Sequence, residues 1–418
     1  MELKTNYQYT YFIQPFVIKE ENYLKYILKM LKDKNCNLKT FQKEKDLQMY
    51  QYFLPETRSF LFSSFGFGKE KIRELEGLPI DTRAALLAKY PCNIFEYSIP
   101  KDIQGKIDDK KGIFFAITKI TVICFNTGIC FLVMKTNIED DYNFANVLNF
   151  NYKFRDINQE GNILDAYDNI RLQTNSFESA ETFRNFLRRI TGSSVESLKL
   201  DIDTERFLTY SYICIDQSAW GISHEFDEVK HYFDKYINIL PADDIKNIEN
   251  NNKKIITMSK WKYAKMSLNK LGVTLFSSSE DMNNYTILPN EYENQYLYTY
   301  IINLYKKIYL KKIAAELRNP KKVKKARKKF IEFTKKIWIQ EITEDEFGTM
   351  LNHKMQATLE LEELYNEVKT KYDVLYKDLN IEKNKRVTIL IGLVLVISLV
   401  FNVLNFVILA TKYNLKLL

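Results

Sequence analysis

Histidine is the side chain that most often serves as a metal ligand or proton carrier near neutral pH, and this 418-residue chain holds three, His224, His231 and His353. His224, Glu228 and His231 stand at i, i+4 and i+7, one face of a helix, where two imidazoles and a carboxylate could close on a metal ion. The run reads HEFDE rather than HExxH and no further ligand lies near it in sequence, so a polar helix surface is expected and no metal site. Phe65-Gly66-Phe67-Gly68-Lys69 shares glycines and a lysine with phosphate-cradling loops. It lacks GxxxxGK[ST] and GxGxxG, and reads as a turn. No nucleophile elbow, kinase signature or paired-CxxC zinc site is present. Neither an enzyme nor a resident cofactor is expected.

The polar residues with the most informative spacing lie in an apolar setting. Val387–Ala410 reads VTILIGLVLVISLVFNVLNFVILA, without a charge. As a helix it would be ~36 Å long, enough to cross a hydrocarbon core of ~30 Å with some tilt. A membrane helix is placed at 387–411, with a short tail at 412–418 and no second crossing. Thr388, Ser398, Asn402 and Asn405 fall on a 3-4 repeat with Ile391, Leu395 and Leu409, one face of that helix. An Asn carboxamide is costly in lipid unless it finds a partner. Asn402 and Asn405 are therefore expected to meet other copies of the helix, bonding across an interface or lining a narrow pore; local bonding within one tether is the alternative. Lys369, Lys371, Lys377, Lys383, Lys385 and Arg386 precede the segment and only Lys412 and Lys416 follow, which puts the large N-terminal portion in the cytoplasm. Met1–Gln14 has no basic run followed by an apolar one, so no signal peptide is expected.

The elements that would carry this anchor are helical. Thr343 to Arg386 contains no Pro and a single Gly, Gly348. Thr343 and Glu346 have capping-box spacing, and one stalk helix is expected over 343–386, continuous with the anchor. Leu361, Tyr365, Val368, Tyr372, Leu375 and Leu379 repeat at 4-3-4-3-4, a heptad-like seam that would pack on other copies or on helices of its own chain. Residues 291–342 form a helical hairpin region: EYENQYLYTYIINLYKKIYLKKIAAEL over Glu291–Leu317, a break at Asn319-Pro320, then a helix over about Lys321–Gln340. That last helix holds Lys321, Lys322, Lys324, Lys325, Arg327, Lys328 and Lys329. Anionic lipid and a nucleic-acid backbone are the binding options for such a patch. A solvated helix face is the plainer reading, an upright stalk would hold it off the bilayer, and no base-reading module makes nucleic acid a partner.

Residues 1–290 alternate strand-like and helix-like runs, an α/β domain with a possible division near 192–197. Strands are expected at Tyr9–Ile18, Phe207–Ile215, Ile255–Trp261 and Gly272–Ser277, and a hairpin in Thr118–Lys135 about Asn126-Thr127-Gly128. Helices are expected at Glu20–Leu31, Asp141–Leu148, Ser176–Ile190 and Phe226–Ile239, and an exposed loop at Lys246–Lys254. The fold class is α+β: a cytosolic α/β domain, a C-terminal helical bundle, and a stalk running into one membrane helix. The net charge is +8. The five cysteines, an odd number with no CxxC pair, are expected to be buried reduced thiols.

The plan of Glu291–Leu418, with the junction EKNKRVTILIGLVLVISLVFNVLNF, resembles the CorA-type divalent-cation channel superfamily and its bacterial CorA-like relatives. Members are homo-oligomers, commonly pentamers, whose first membrane helix lines the pore and is joined to a second by a Gly-Met-Asn loop. This chain carries neither that tripeptide nor a second apolar helix. CorA-like proteins also serve as membrane effectors in bacterial antiviral systems. The resemblance implies a homo-oligomer of the inner membrane, a channel or pore-forming effector gated by a cytosolic domain that senses a ligand or protein partner. A membrane-tethered scaffold without conduction, or a tethered enzyme, would share the same plan.

Overall fold

The computed structural model describes residues 3–98, 103–107, 112–139, 143–155, 170–173, 181–191, 195–196, 206–216, 226–244, 255–319, 321–338 and 341–412. His224 and Lys246–Lys254 lie outside them. The fold is mixed α+β, with one sheet, C-terminal helices and a long apolar helix last in the chain.

Thirteen strands make the sheet: β1 Thr5–Ile18, β2 Cys36–Leu38, β3 Cys92–Tyr97, β4 Ile103–Ile107, β5 Ile113–Phe125, β6 Ile129–Ile138, β7 Ile170–Gln173, β8 Glu181–Thr182, β9 Val195–Glu196, β10 Leu208–Ile215, β11 Ile256–Met258, β12 Ala264–Asn269 and β13 Gly272–Ser278. Their order is β11-β12-β13-β10-β1-β6-β5-β4-β7-β8, with β3 also on β5, β2 on β3 and β9 on β1. Strands from both sides of residues 192–197 share it. Among the described residues, β10 and β13 are the one parallel pair. The expected hairpin is β5–β6, and Gly128 turns it at φ +83°, its carbonyl accepting from the Ile18 amide at 2.8 Å. A side chain there would start 2.2 Å from the Ile18 carbonyl oxygen, so only glycine fits.

Alternation along β1 divides the core. Tyr9, Tyr11, Ile13 and Val17 face the C-terminal helices, while Phe12, Phe16 and Ile18 face the helices of the first 240 residues. With both faces covered, the central strands read as nearly unbroken apolar runs. Helices Tyr23–Lys32, Phe144–Arg155 and Lys230–Ile237 cover the second face. Some expected bounds move. The helix expected at Asp141–Leu148 begins at Phe144 and continues to Arg155; of that expected at Ser176–Ile190, residues 176–180 lie outside the described ones and the rest is β8 followed by Phe183–Thr191. Ile255–Trp261 shortens to β11, and β12 was not foreseen. AKMSLN is a weak strand sequence; it is held by β13 through a turn in which Asn269 Oδ1 accepts from the Leu271 and Gly272 amides at 2.8 and 3.1 Å.

The central helix, Leu297–Leu317, enters through a wide π-helical turn at Tyr292–Tyr296 and lies against the first face. Its tyrosines bring apolar rings with a polar tip, which suits a helix seated on a sheet. Tyr210 stacks on Tyr292 at 4.1 Å and donates to the Tyr292 carbonyl at 2.7 Å. The Tyr292 hydroxyl lies 3.1 Å from the Ser211 and Val273 carbonyls. Glu293 pins the same turn: Lys135 reaches it at 2.7 Å, Lys119 at 3.6 Å, and Tyr11 donates to it. Burial raises the Glu293 carboxyl, but Lys135 leads the contacts that hold it below its ordinary value.

Three helices complete the body: the basic helix Val323–Lys336, the bracket helix Glu346–Thr358 and the stalk helix Leu361–Lys412. The single helix expected from Thr343 is therefore two. Thr343 pairs in extended form with Phe53, so it cannot cap; Asp345 does, accepting from the Gly348 amide at 2.7 Å. The chain then turns at Glu360, whose φ is +55°. A left-handed non-glycine residue costs ~1–2 kcal/mol. The turn buries Leu359 and Leu361 on either side of it, to 5% and 1% exposure, and each buried Leu returns about 1.5–3 kcal/mol. Burial outweighs the strain.

Candidate functional site

The anchor is the least covered part of the chain. Val387–Lys412 is long and apolar enough to cross a membrane, with a mean hydropathy of 2.8, and Ala410 is its one buried residue among the described ones. Its large side chains stand open on every side, from 45% exposure at Val407 to 66% at Leu390. Thr388, Ser398, Asn402 and Asn405 are all exposed. Thr388 returns its hydroxyl to the Asn384 carbonyl at 2.9 Å, a bond local to the helix. The structure thus brings the four polar residues onto one uncovered face and gives that face no cover within the described residues.

The seam goes elsewhere. Leu361 and Val368 are buried in the same core as the central helix, and Tyr365, Tyr372 and Leu375 pack partly against it. Trp338 stacks on Tyr365 at 4.4 Å, and Phe330 meets Tyr365 and Tyr372 at 5.6 and 5.3 Å. The seam is therefore used on the chain's own helices from Leu361 to Leu375; the Leu379 side chain lies outside the described ones. From Leu361 to Lys412 the stalk helix runs unbroken for 52 residues, ~78 Å.

The basic run divides. Lys321, Lys322, Lys324 and Lys328 are exposed, as a solvated face would be. Lys325 and Lys329 turn to Glu20, at 2.8 and 2.5 Å, with Lys312 3.6 Å from the same carboxylate. Lys329 is buried and also holds Glu316 at 2.8 Å, which corrects the reading of a wholly solvated run. Burial would raise the Glu20 carboxyl, yet hydrogen bonds from Lys325 and Lys329, with the charges of Lys329 and Lys312, bring it to about 2. Arg327 covers the Tyr372 ring at 5.6 Å. These residues dock the basic helix between the first strand's end and the stalk.

A cavity of about 520 Å³ lies at the turn that begins the stalk. Arg155, Arg206, Lys270, Lys307 and Lys311 line it, with Glu360, Glu363 and Glu367 on the stalk's side. Lys270 reaches Glu360 at 3.5 Å, and Arg155 Nε donates to the Phe207 carbonyl at 3.2 Å. Burial, then the neighbouring Lys311, pull the Lys307 ammonium down to about 8. Sequence reasoning missed this site because its cations come from separate segments. The available signal was Lys307 and Lys311, one turn apart on a helix otherwise largely buried.

Of the remaining candidates, Phe65–Lys69 spans the end of a 3-10 turn and the start of a helix at Lys69. His231 lies against Tyr232 and His353 is exposed on the bracket helix. Among the described residues no group of three His, Cys, Asp or Glu could hold a metal ion. All five cysteines are buried and free. Burial raises the Cys36 thiol to about 12, which leaves it inert. Compared with known proteins, the chain matches no family model, no curated protein and no solved structure.

Proposed function

We propose that this chain is a homo-oligomeric, single-pass protein of the inner membrane, whose anchors meet along Thr388, Ser398, Asn402 and Asn405 and whose cytoplasmic body governs how they meet. The observation that carries the reading is the polar stripe on a helix that stands exposed from Val387 to Leu409. Two carboxamides at mid-anchor have donors and acceptors to satisfy where lipid offers none. Identical helices about a symmetry axis supply complementary partners to each other. Six basic residues on the body's side of the anchor favour a cytoplasmic body. The CorA-like plan supports a path for ions between the anchors, opened or closed through the stalk, in the manner of a channel or a pore-forming effector.

The test is ion leak from vesicles holding the full-length protein. Wild type should release trapped ions, and Asn402→Leu with Asn405→Leu should reduce release at least tenfold while inserting equally well. Unchanged release would remove the pore face from the argument. The uniformly apolar remainder of the anchor favours one rival, a plain tether for a scaffold. A tether predicts that an unrelated apolar helix of equal length can replace residues 387–411 and leave oligomer mass and vesicle behaviour as they were.

A further inference from the structure

The basic helix carries more charge than its own contacts consume. Arg318 to Lys336 holds ten cationic side chains and one carboxylate, Glu332. Glu20 and Glu316 draw Lys325 and Lys329 inward. Lys321, Lys322, Lys324 and Lys328 are exposed, and none of them pairs with a carboxylate among the described residues. Lys324 and Lys328 lie one turn apart on the face opposite Ala326, Phe330 and Phe333, which are buried. The body holds the apolar face and leaves the charged one to solvent.

The direction of the helix decides what that face can meet. Along the stalk, Thr334 approaches Tyr365 at 3.4 Å, Phe330 meets Tyr365 and Tyr372 at 5.6 and 5.3 Å, and Arg327 covers Tyr372 at 5.6 Å. Falling numbers on the basic helix match rising numbers on the stalk, so the two run antiparallel and the basic helix begins at its end nearest the anchor. Arg327 stands level with Tyr372, which precedes Val387 by 15 positions, ~22 Å of helix. Lys324, three residues nearer the anchor, stands ~18 Å from Val387, and Lys321 and Lys322 precede it. Headgroups extend ~5–8 Å beyond a hydrocarbon core. The gap left is about 10–13 Å, close to one Debye length at ~0.1 M salt, and a lysine's four-carbon stem covers much of it. An upright stalk was expected to hold this run off a bilayer; the antiparallel pairing corrects that by turning the run's first residues toward the anchor.

We infer that Lys321, Lys322, Lys324 and Lys328 dock on the anionic lipid headgroups of the leaflet that the stalk enters. The inference rests on the proposed membrane anchor and needs no pore. Over the same span the stalk's Lys377, Lys383, Lys385 and Arg386 outnumber Asp378 and Glu382, so both helices present positive charge to that leaflet. Clusters of about four to eight such residues beside a membrane helix recruit acidic lipid, roughly fivefold in affinity for each side chain at the surface. The basic helix is fixed to the stalk through Phe330 and to the end of the first strand through Glu20. Headgroups that hold it therefore hold the body, and with it the angle at which the stalk enters. A nucleic-acid backbone would neutralise the same lysines, but it would take the run from Lys321 to Lys336 alike, whereas a leaflet reaches it from one end.

The full-length protein is placed in vesicles of phosphatidylcholine, alone or with phosphatidylglycerol as about a third of the lipid, and acetylation of each lysine is followed by mass spectrometry. At low salt Lys321, Lys322 and Lys324 should react at least threefold more slowly in the anionic vesicles, Lys328 less so and Lys335 hardly at all. Lys45 and Lys262, exposed near the entry of the central helix at the far end of the body, should not change. Salt at about 0.5 M should cancel the difference. Wild type should also unfold at a higher Tm in the anionic vesicles, and the gain should vanish when Lys321→Gln, Lys322→Gln, Lys324→Gln and Lys328→Gln are combined, all four being exposed. Equal rates in both vesicles, for a chain that resists alkaline extraction, overturn the lipid contact and leave the anchor. A chain that alkali releases overturns both. Slowing by RNA in neutral vesicles, uniform from Lys321 to Lys336, overturns the leaflet in favour of a nucleic-acid backbone. Slowing by glycerol phosphate in neutral vesicles, at matched phosphate, overturns it in favour of a free anion.

Discussion

A half-buried carboxylate and a buried ammonium give this protein opposing responses to pH. Glu20 accepts from Lys325 and Lys329, and its carboxyl is depressed to about 2. A group depressed on folding adds stability above its unfolded value near 4.3 and loses it as pH falls toward the folded one. Glu20→Gln should therefore cost about 1–2 kcal/mol at pH 7, roughly half of that at pH 3 and little below pH 2, which Tm measured across that range would show. Unequal losses that grow toward acid would contradict the ion-pair account. Lys306 behaves the other way. It is 1% exposed on the central helix, 5.8 Å from the Trp338 ring, and burial lowers its ammonium to about 7. The unfolded chain binds more protons between pH 7 and the ordinary lysine value, so this residue makes stability rise with pH over that window. In Lys306→Met the rise in Tm from pH 7 to pH 9 should be smaller than in wild type. An identical slope would mean that Lys306 stays charged in its site. Glu360 carries strain rather than charge: Glu360→Gly should relieve the left-handed cost, up to ~1 kcal/mol, at the loss of an exposed pair with Lys270 worth less than that.

At the scale of elements, the stalk turn was hidden from sequence and the anchor was not. A stretch of 24 uncharged residues announces itself by composition alone. Strand β1 and the β5–β6 hairpin were also legible, through apolar runs and through Asn-Thr-Gly at the turn. The end of the bracket helix carries no Gly or Pro, and QATLELEELY reads as unbroken helix. It breaks because Leu359 and Leu361 both reach the core only if Glu360 turns the chain, and that is decided by contacts distant in sequence. The strand order was illegible for the same reason: β1 lies between β10 and β6, partners about two hundred and more than one hundred residues away. The cavity's cations, carried by separate segments, share that origin. Gly348 is a further mark of tight assembly. A side chain there would start 2.5 Å from the Tyr52 hydroxyl and 2.8 Å from Thr343, so Gly348→Ala should loosen the bracket helix by about 1–3 kcal/mol, read as a lower denaturant midpoint.

Over the whole molecule, the sheet, the central helix and the first turns of the stalk share one continuous core, and the anchor leaves it as a single helix without Gly or Pro before Gly392. Because the seam is spent inside the chain, the self-association proposed here would fall to the anchors. A chain ending before Val387 should be monomeric at micromolar concentration, whereas the full-length protein in detergent should give one discrete higher mass. Equal masses for the two would move the interface to the body. The unbroken helix has a further consequence once it is embedded. Embedded as proposed, every copy would be confined to a layer no deeper than its own body, all facing the same way, and would search for a partner only by sliding and rotating in the plane. Confinement of this kind raises effective concentration, on the order of millimolar for short tethers, and removes most orientations that a free collision must explore. Contacts between bodies too weak to be seen in solution can then decide the register in which the anchors close.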